Sequence, residues 1–185
     1  MKRRICILLM VSAILSSGCS VVNLGPIKRY NDDFSGGQRY LLYESVEPRE
    51  WGTDITTADL TFEKRVSSME VITRIYFVAG RSAETFGVDR KGYIKIDDSI
   101  YDIDLDDISS AIRYSGSNIV SDGVLKETGI DSEIDDKFIV DLPQGLVDAI
   151  LDGRRMEIRI YFGPVPATYR ITGLRLGRVK KLLSQ

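Results

Sequence analysis

Histidine is missing from all 185 residues, and that absence sets the limits of the chemistry this chain performs. It excludes His-based general base catalysis, Ser-His and Cys-His nucleophile pairs, and the common zinc ligand sets. Carboxylate chemistry or a Ser-Lys pair is what remains. Acidic side chains are plentiful, and Asp102-Ile103-Asp104-Leu105-Asp106-Asp107 has the spacing of the first ligands of a calcium loop. Asp107 stands where that loop needs glycine, and Arg113 occupies the twelfth position, where the bidentate glutamate belongs. The alternation of Ile103 and Leu105 suits a strand with one solvated acidic face instead. No metal and no cofactor is therefore expected.

The candidate binding residues are Arg159, Arg170 and Trp51. In "MEIRIYFGPVPATYRITGL", Met156, Ile158, Ile160 and Phe162 share one face of a strand, with Glu157, Arg159 and Tyr161 on the other. If Gly163-Pro164-Val165-Pro166 is the connector and Phe162 pairs with Ala167, Arg159 falls opposite Arg170, and like charges across a strand pair are destabilising. Glu157, diagonal to Arg170, and the acidic strand Asp102 to Asp106 are candidates to neutralise them. An anionic partner, such as a lipopolysaccharide phosphate, a glycan carboxylate or an acidic protein surface, would do the same. Trp51, in "EPREWGTD", is a stacking platform for a glycan or a lid on the core. Tyr93, Tyr101, Tyr161 and Tyr169 read as ordinary strand aromatics.

The elements that must hold these residues are mostly strands. Runs rich in Tyr, Ile, Val and Phe recur at 39–46, 59–64, 70–78, 92–96, 100–105, 137–142, 156–162 and 167–174. Residues 70–78 are apolar on both faces apart from Thr73 and Arg74, the pattern of a central strand. "GYIKIDDSIYDIDL" reads as a hairpin turning at Asp97-Asp98. One helix is expected from Pro143 to a stop at Gly153, with Leu146, Val147 and Ile150 on one stripe, and 174–183 is a candidate for a second, short one, with Leu176, Val179, Leu182 and Leu183 on one side. The fold class is mainly β, an antiparallel sandwich or bent sheet with one or two short helices.

The N-terminus gives an address. Lys2, Arg3 and Arg4 precede the apolar run Ile5 to Leu15, and small residues follow. This is the order of a secretory signal peptide, and the run is too short to span a bilayer. Leu15-Ser16-Ser17-Gly18-Cys19 resembles the lipobox of bacterial lipoproteins, with the leucine one place earlier than usual. The resemblance covers residues 1–20 only. It implies acylation of the Cys19 thiol, cleavage before it, and anchoring through several acyl chains, which hold a protein where one would not. Ser20, in place of the aspartate that retains such proteins in the inner membrane, points to the outer membrane.

Removing 18 residues leaves 167, enough for one domain. Basic residues fall from 25 to 22 against 27 acidic ones, a formal charge of −5 that disfavours nucleic acid. Cys6 leaves with the signal, so the mature chain holds no disulfide. The expected organisation is a signal peptide over 1–18, a lipidated, flexible tether over 19–38 and a single β-rich domain over 39–185. The function expected is a non-catalytic envelope component on the outer membrane that binds another envelope protein or an anionic surface polymer. The alternative is a carboxylate-dependent hydrolase acting on cell-wall or surface glycan.

Overall fold

The computed structural model describes residues 25–32, 37–50, 54–115, 118–121, 124–127 and 131–185. Cys19 and Trp51 lie outside the described residues. The described chain is a β-sandwich of two antiparallel sheets with two helices.

The larger sheet has the order β1-β2-β3-β4-β10-β7. Its strands are β1 (Lys28–Asp32), β2 (Gly37–Val46), β3 (Ile55–Val66), β4 (Val71–Ser82), β7 (Asp106–Ser115) and β10 (Asp131–Asp141). β4 is paired on both sides, by β3 and β10, as its two-sided apolar pattern requires. The smaller sheet has the order β12-β11-β5-β6, from β5 (Val88–Ile96), β6 (Ser99–Asp104), β11 (Arg155–Phe162) and β12 (Val165–Thr172). A separate ribbon pairs β8 (Asn118–Ser121) with β9 (Val124–Glu127).

Alternating side chains from the inner faces fill the space between the sheets. Phe77 and Phe138 stack with centroids 4.7 Å apart, and Phe77 meets Tyr169 of β12 at 6.4 Å. Burial of these rings away from water supplies the main drive for bringing the sheets together. Helix α1 (Gln144–Asp152) begins after Pro143 and buries Leu146, Val147 and Ile150. Gly153 ends it for a reason of space: a Cβ there would lie 2.3 Å from the Ile96 side chain. Helix α2 (Gly173–Leu183) buries Leu176, Val179, Leu182 and Leu183. Arg178 of α2 reaches Glu44 of β2 at 2.6 Å, a carboxylate buried on the inner face.

Two expectations need correction. Residues 28–32, read as tether, are a strand paired antiparallel with β2, Lys28 opposite Leu41 and Asp32 opposite Gly37. The folded body therefore begins well before residue 39. The short run Lys-Arg-Tyr-Asn-Asp has almost no apolar periodicity, because an edge strand is held by ladder bonds more than by burial. The β11–β12 hairpin also differs: Phe162 pairs with Val165, not Ala167. Gly163 and Pro164 alone form the turn, with Gly163 at φ +58°, where only glycine sits without strain. Pro166 belongs to β12, an edge strand, where a missing N–H is tolerated.

Candidate functional site

The shortened turn rebuilds the polar face of the smaller sheet. Glu157 now stands opposite Arg170, and Arg159 opposite Thr168. On its other side β11 pairs with β5, placing Lys95 opposite Glu157 and Tyr93 opposite Arg159. β5 in turn sets Ile100 opposite Lys95 and Asp102 opposite Tyr93. Two rows cross the sheet: Arg170, Glu157, Lys95, Ile100, and beside it Thr168, Arg159, Tyr93, Asp102. The expected clash of Arg159 with Arg170 does not occur. β6, the acidic strand, is not a neighbour of the hairpin either; β5 lies between them, and Asp104 faces Lys91.

Each cation on this face has a defined setting. Arg170 Nε lies 2.9 Å from Glu157 Oε1, and Arg49 Nη1 reaches the same oxygen at 3.3 Å. Arg159 Nε donates to Thr168 Oγ1 at 2.9 Å. Lys95 has no ion pair among the described residues. The segment before Trp51 also belongs here. Pro48 bridges to Tyr169, Arg49 N–H donates to the Thr168 carbonyl at 2.9 Å, and Thr168 N–H donates to Glu50 Oε2 at 2.7 Å. This covers the open edge of β12, which otherwise offers unpaired ladder groups to other chains. Burial pushes the Glu50 carboxyl up, but the bonds from Thr168 and the nearby Arg159 charge outweigh it and hold the group below the ordinary range.

Tyr93 and Tyr161 meet edge to face, centroids 6.1 Å apart at 85°, the geometry aromatic quadrupoles favour. With Lys95, Ile100, Glu157, Arg159 and Thr168 they line an open groove of about 370 Å³. Ile100 is 64% exposed there. The groove presents aromatic edges and faces, an aliphatic patch, two cations and a carboxylate already engaged by two guanidiniums. Such a surface suits recognition of an amphipathic, anionic ligand: flat apolar faces stack on tyrosine, and acidic groups meet arginine and lysine.

Of the residues singled out from the sequence, Arg159 lines the groove and Arg170 sits at its rim. Tyr93 and Tyr161 read from the sequence as ordinary strand aromatics, and Lys95 and Ile100 were not singled out. Their signal is that they occupy the outward positions of strands whose inward positions already carry a full apolar set, so their bulk is not needed for the core.

Comparison with family models, with curated proteins and with solved structures finds no match for this chain.

Proposed function

We propose that this chain is a bacterial lipoprotein, anchored in the outer membrane through an acylated Cys19, whose sandwich is a non-catalytic binding component of the envelope. Its partner on this reading is an anionic surface polymer held in the groove of Tyr93, Tyr161, Lys95 and Arg159. The groove carries the proposal: two tyrosines and an isoleucine face solvent beside two cations on a sheet whose other face already supplies a core. Trp51, one residue beyond Glu50, and Arg170 are the candidate flanking contacts. The hydrolase alternative calls for a carboxyl held protonated to act as general acid, facing a second carboxylate. Glu157 is instead committed to Arg170 and Arg49, and Glu50 is held below the ordinary carboxylate range. Binding is the better reading of such a groove.

Two measurements test it. Growth in radioactive palmitate should label the protein, globomycin should block its processing, and Cys19→Ala should abolish both; an unlabelled wild-type protein ends the anchor. Separately, the purified protein is sedimented with isolated peptidoglycan sacculi and with lipopolysaccharide. Tyr93→Ala and Arg159→Ala should lose binding that Asp98→Ala retains. Equal sedimentation of all four proteins with both polymers ends the groove.

A further inference from the structure

The start of the folded body lies beside α2, and the surface there is strongly cationic. The Gly25 carbonyl accepts a hydrogen bond from Arg178 Nη2. Arg29 of β1 lies over the Tyr40 ring at 6.0 Å, on the same face of the sheet as α2. Gly25, Arg29, Tyr40, Arg178, Lys181 and Gln185 border a depression of about 520 Å³. Among the described residues, the one carboxylate engaged with these cations is the buried Glu44, which takes Arg178 at 2.6 Å and also Arg175 at 3.8 Å. Arg29 and Lys181 have no ion pair among the described residues.

Helical spacing adds an apolar element. Leu174, Arg178 and Lys181 stand at i, i+4 and i+7 of α2, one stripe of its surface, and Leu174 is 79% exposed. A cationic stripe ending in an exposed leucine is the composition of a helix that lies along a membrane interface.

Chain length fixes how far this surface can stray from an anchor at Cys19. Five residues lie between Cys19 and Gly25, making six Cα-to-Cα steps, and an extended chain spans at most about 3.6 Å per step, so the reach is about 20 Å. A tether running to residue 38 would have allowed about 70 Å on the same measure. Pairing of β1 with β2 removes that freedom.

We propose that the basic surface formed by Arg29 and Lys181, beside the partly buried Arg178, rests on anionic phospholipid headgroups of the membrane that anchors the chain. The inference depends on acylation of Cys19. It fixes the orientation of the body: the chain enters beside the cationic patch, so that patch lies within about 20 Å of the anchor, and the headgroup field, which acts over about 8 Å at physiological salt, holds it once it meets the surface. An acyl anchor and a basic patch are the two signals that together give stable attachment.

The test uses the full chain, purified in detergent from membranes and reconstituted into vesicles of phosphatidylcholine alone or with phosphatidylglycerol. With Cys19 acylated and Cys6 removed, a cysteine placed by Gln185→Cys is the sole thiol for a fluorophore; Glu84→Cys, in the β4–β5 connection, serves as the reference. Lipids carrying a nitroxide on the headgroup should quench the probe at 185 several-fold more than the probe at 84 when phosphatidylglycerol is present. That difference should vanish in molar salt, where the screening length falls to about 3 Å, and in the double variant Arg29→Glu, Lys181→Glu. Equal quenching at both positions in an acylated protein, or a difference indifferent to salt and to charge reversal, overturns the inference alone. A mass spectrum showing free Cys19 overturns the anchor reading and this inference with it.

Discussion

Arg170 stands directly across the β11–β12 hairpin from Glu157, its Nε 2.9 Å from Oε1. The four-residue turn expected from the sequence sets Glu157 diagonal to Arg170; the two-residue turn brings it directly opposite. Arg170 is 41% exposed and Glu157 13%, so solvent screening keeps the interaction small, about 0.5 kcal/mol. A double-mutant cycle over Arg170→Ala and Glu157→Ala, read by urea denaturation, should return a coupling of that size that shrinks in high salt.

The buried ion pair is a different case. Arg81 Nε lies 2.7 Å from Asp136 Oδ2, and both side chains are almost wholly buried. Ser110 Oγ donates to the other carboxylate oxygen, while Arg81 Nη1 donates to the Thr85 carbonyl at 2.6 Å. Asp136→Ala strands a guanidinium inside the sandwich and should cost about 3–5 kcal/mol, whereas Arg81→Met with Asp136→Leu should recover most of it. Denaturant midpoints of the two variants check this; equal losses would refute it.

Gly163 is the pivot of the two-residue turn. At φ +58° a Cβ is strained, and it would also lie 2.7 Å from the ring of Phe86. Gly163→Ala should destabilise by about 2–3 kcal/mol. Adding Phe86→Ala should return the steric part and leave the backbone part, which thermal melts of the single and double variants will separate.

Glu50 gives a pH signature. Its folded-state carboxyl sits below the ordinary 4.5, so its contribution is complete above that value and is lost as pH falls through the lower folded value. The stability gap between wild type and Glu50→Gln should be constant near neutrality and close on acidification below pH 4.5. A gap that widens in acid would contradict the assignment.

How much of this was legible beforehand follows from where the driving force lies. The eight strand runs, the Asp97-Asp98 turn and both helices were readable, because each buries one apolar face and leaves a period-2 or 3.6 trace. β1 and β7 were not. β1 reads Lys-Arg-Tyr-Asn-Asp and β7 begins Asp-Asp-Ile-Ser-Ser, and among the described residues both are edge strands paired on one side only, β1 with β2 and β7 with β10. Arg159 was identified as a binding candidate, but on a register that the structure replaces.

The sequence by itself determined the absence of histidine chemistry, the signal-like N-terminus, the β class and which face of the clearly alternating strands turns inward, since these depend on residue type and local period. Only the tertiary structure decided the neighbours. Two readings of "FGPVPA", with a four-residue or a two-residue turn, are equally compatible with the alternation, yet they exchange every cross-strand partner on the polar face. Register is a property of paired strands, fixed by turn geometry and by the packing of Ile158, Ile160 and Tyr169 beneath it. That pairing gathered Tyr93, Tyr161, Lys95 and Arg159 into one groove and brought the first described residues against the basic helix at the end of the chain.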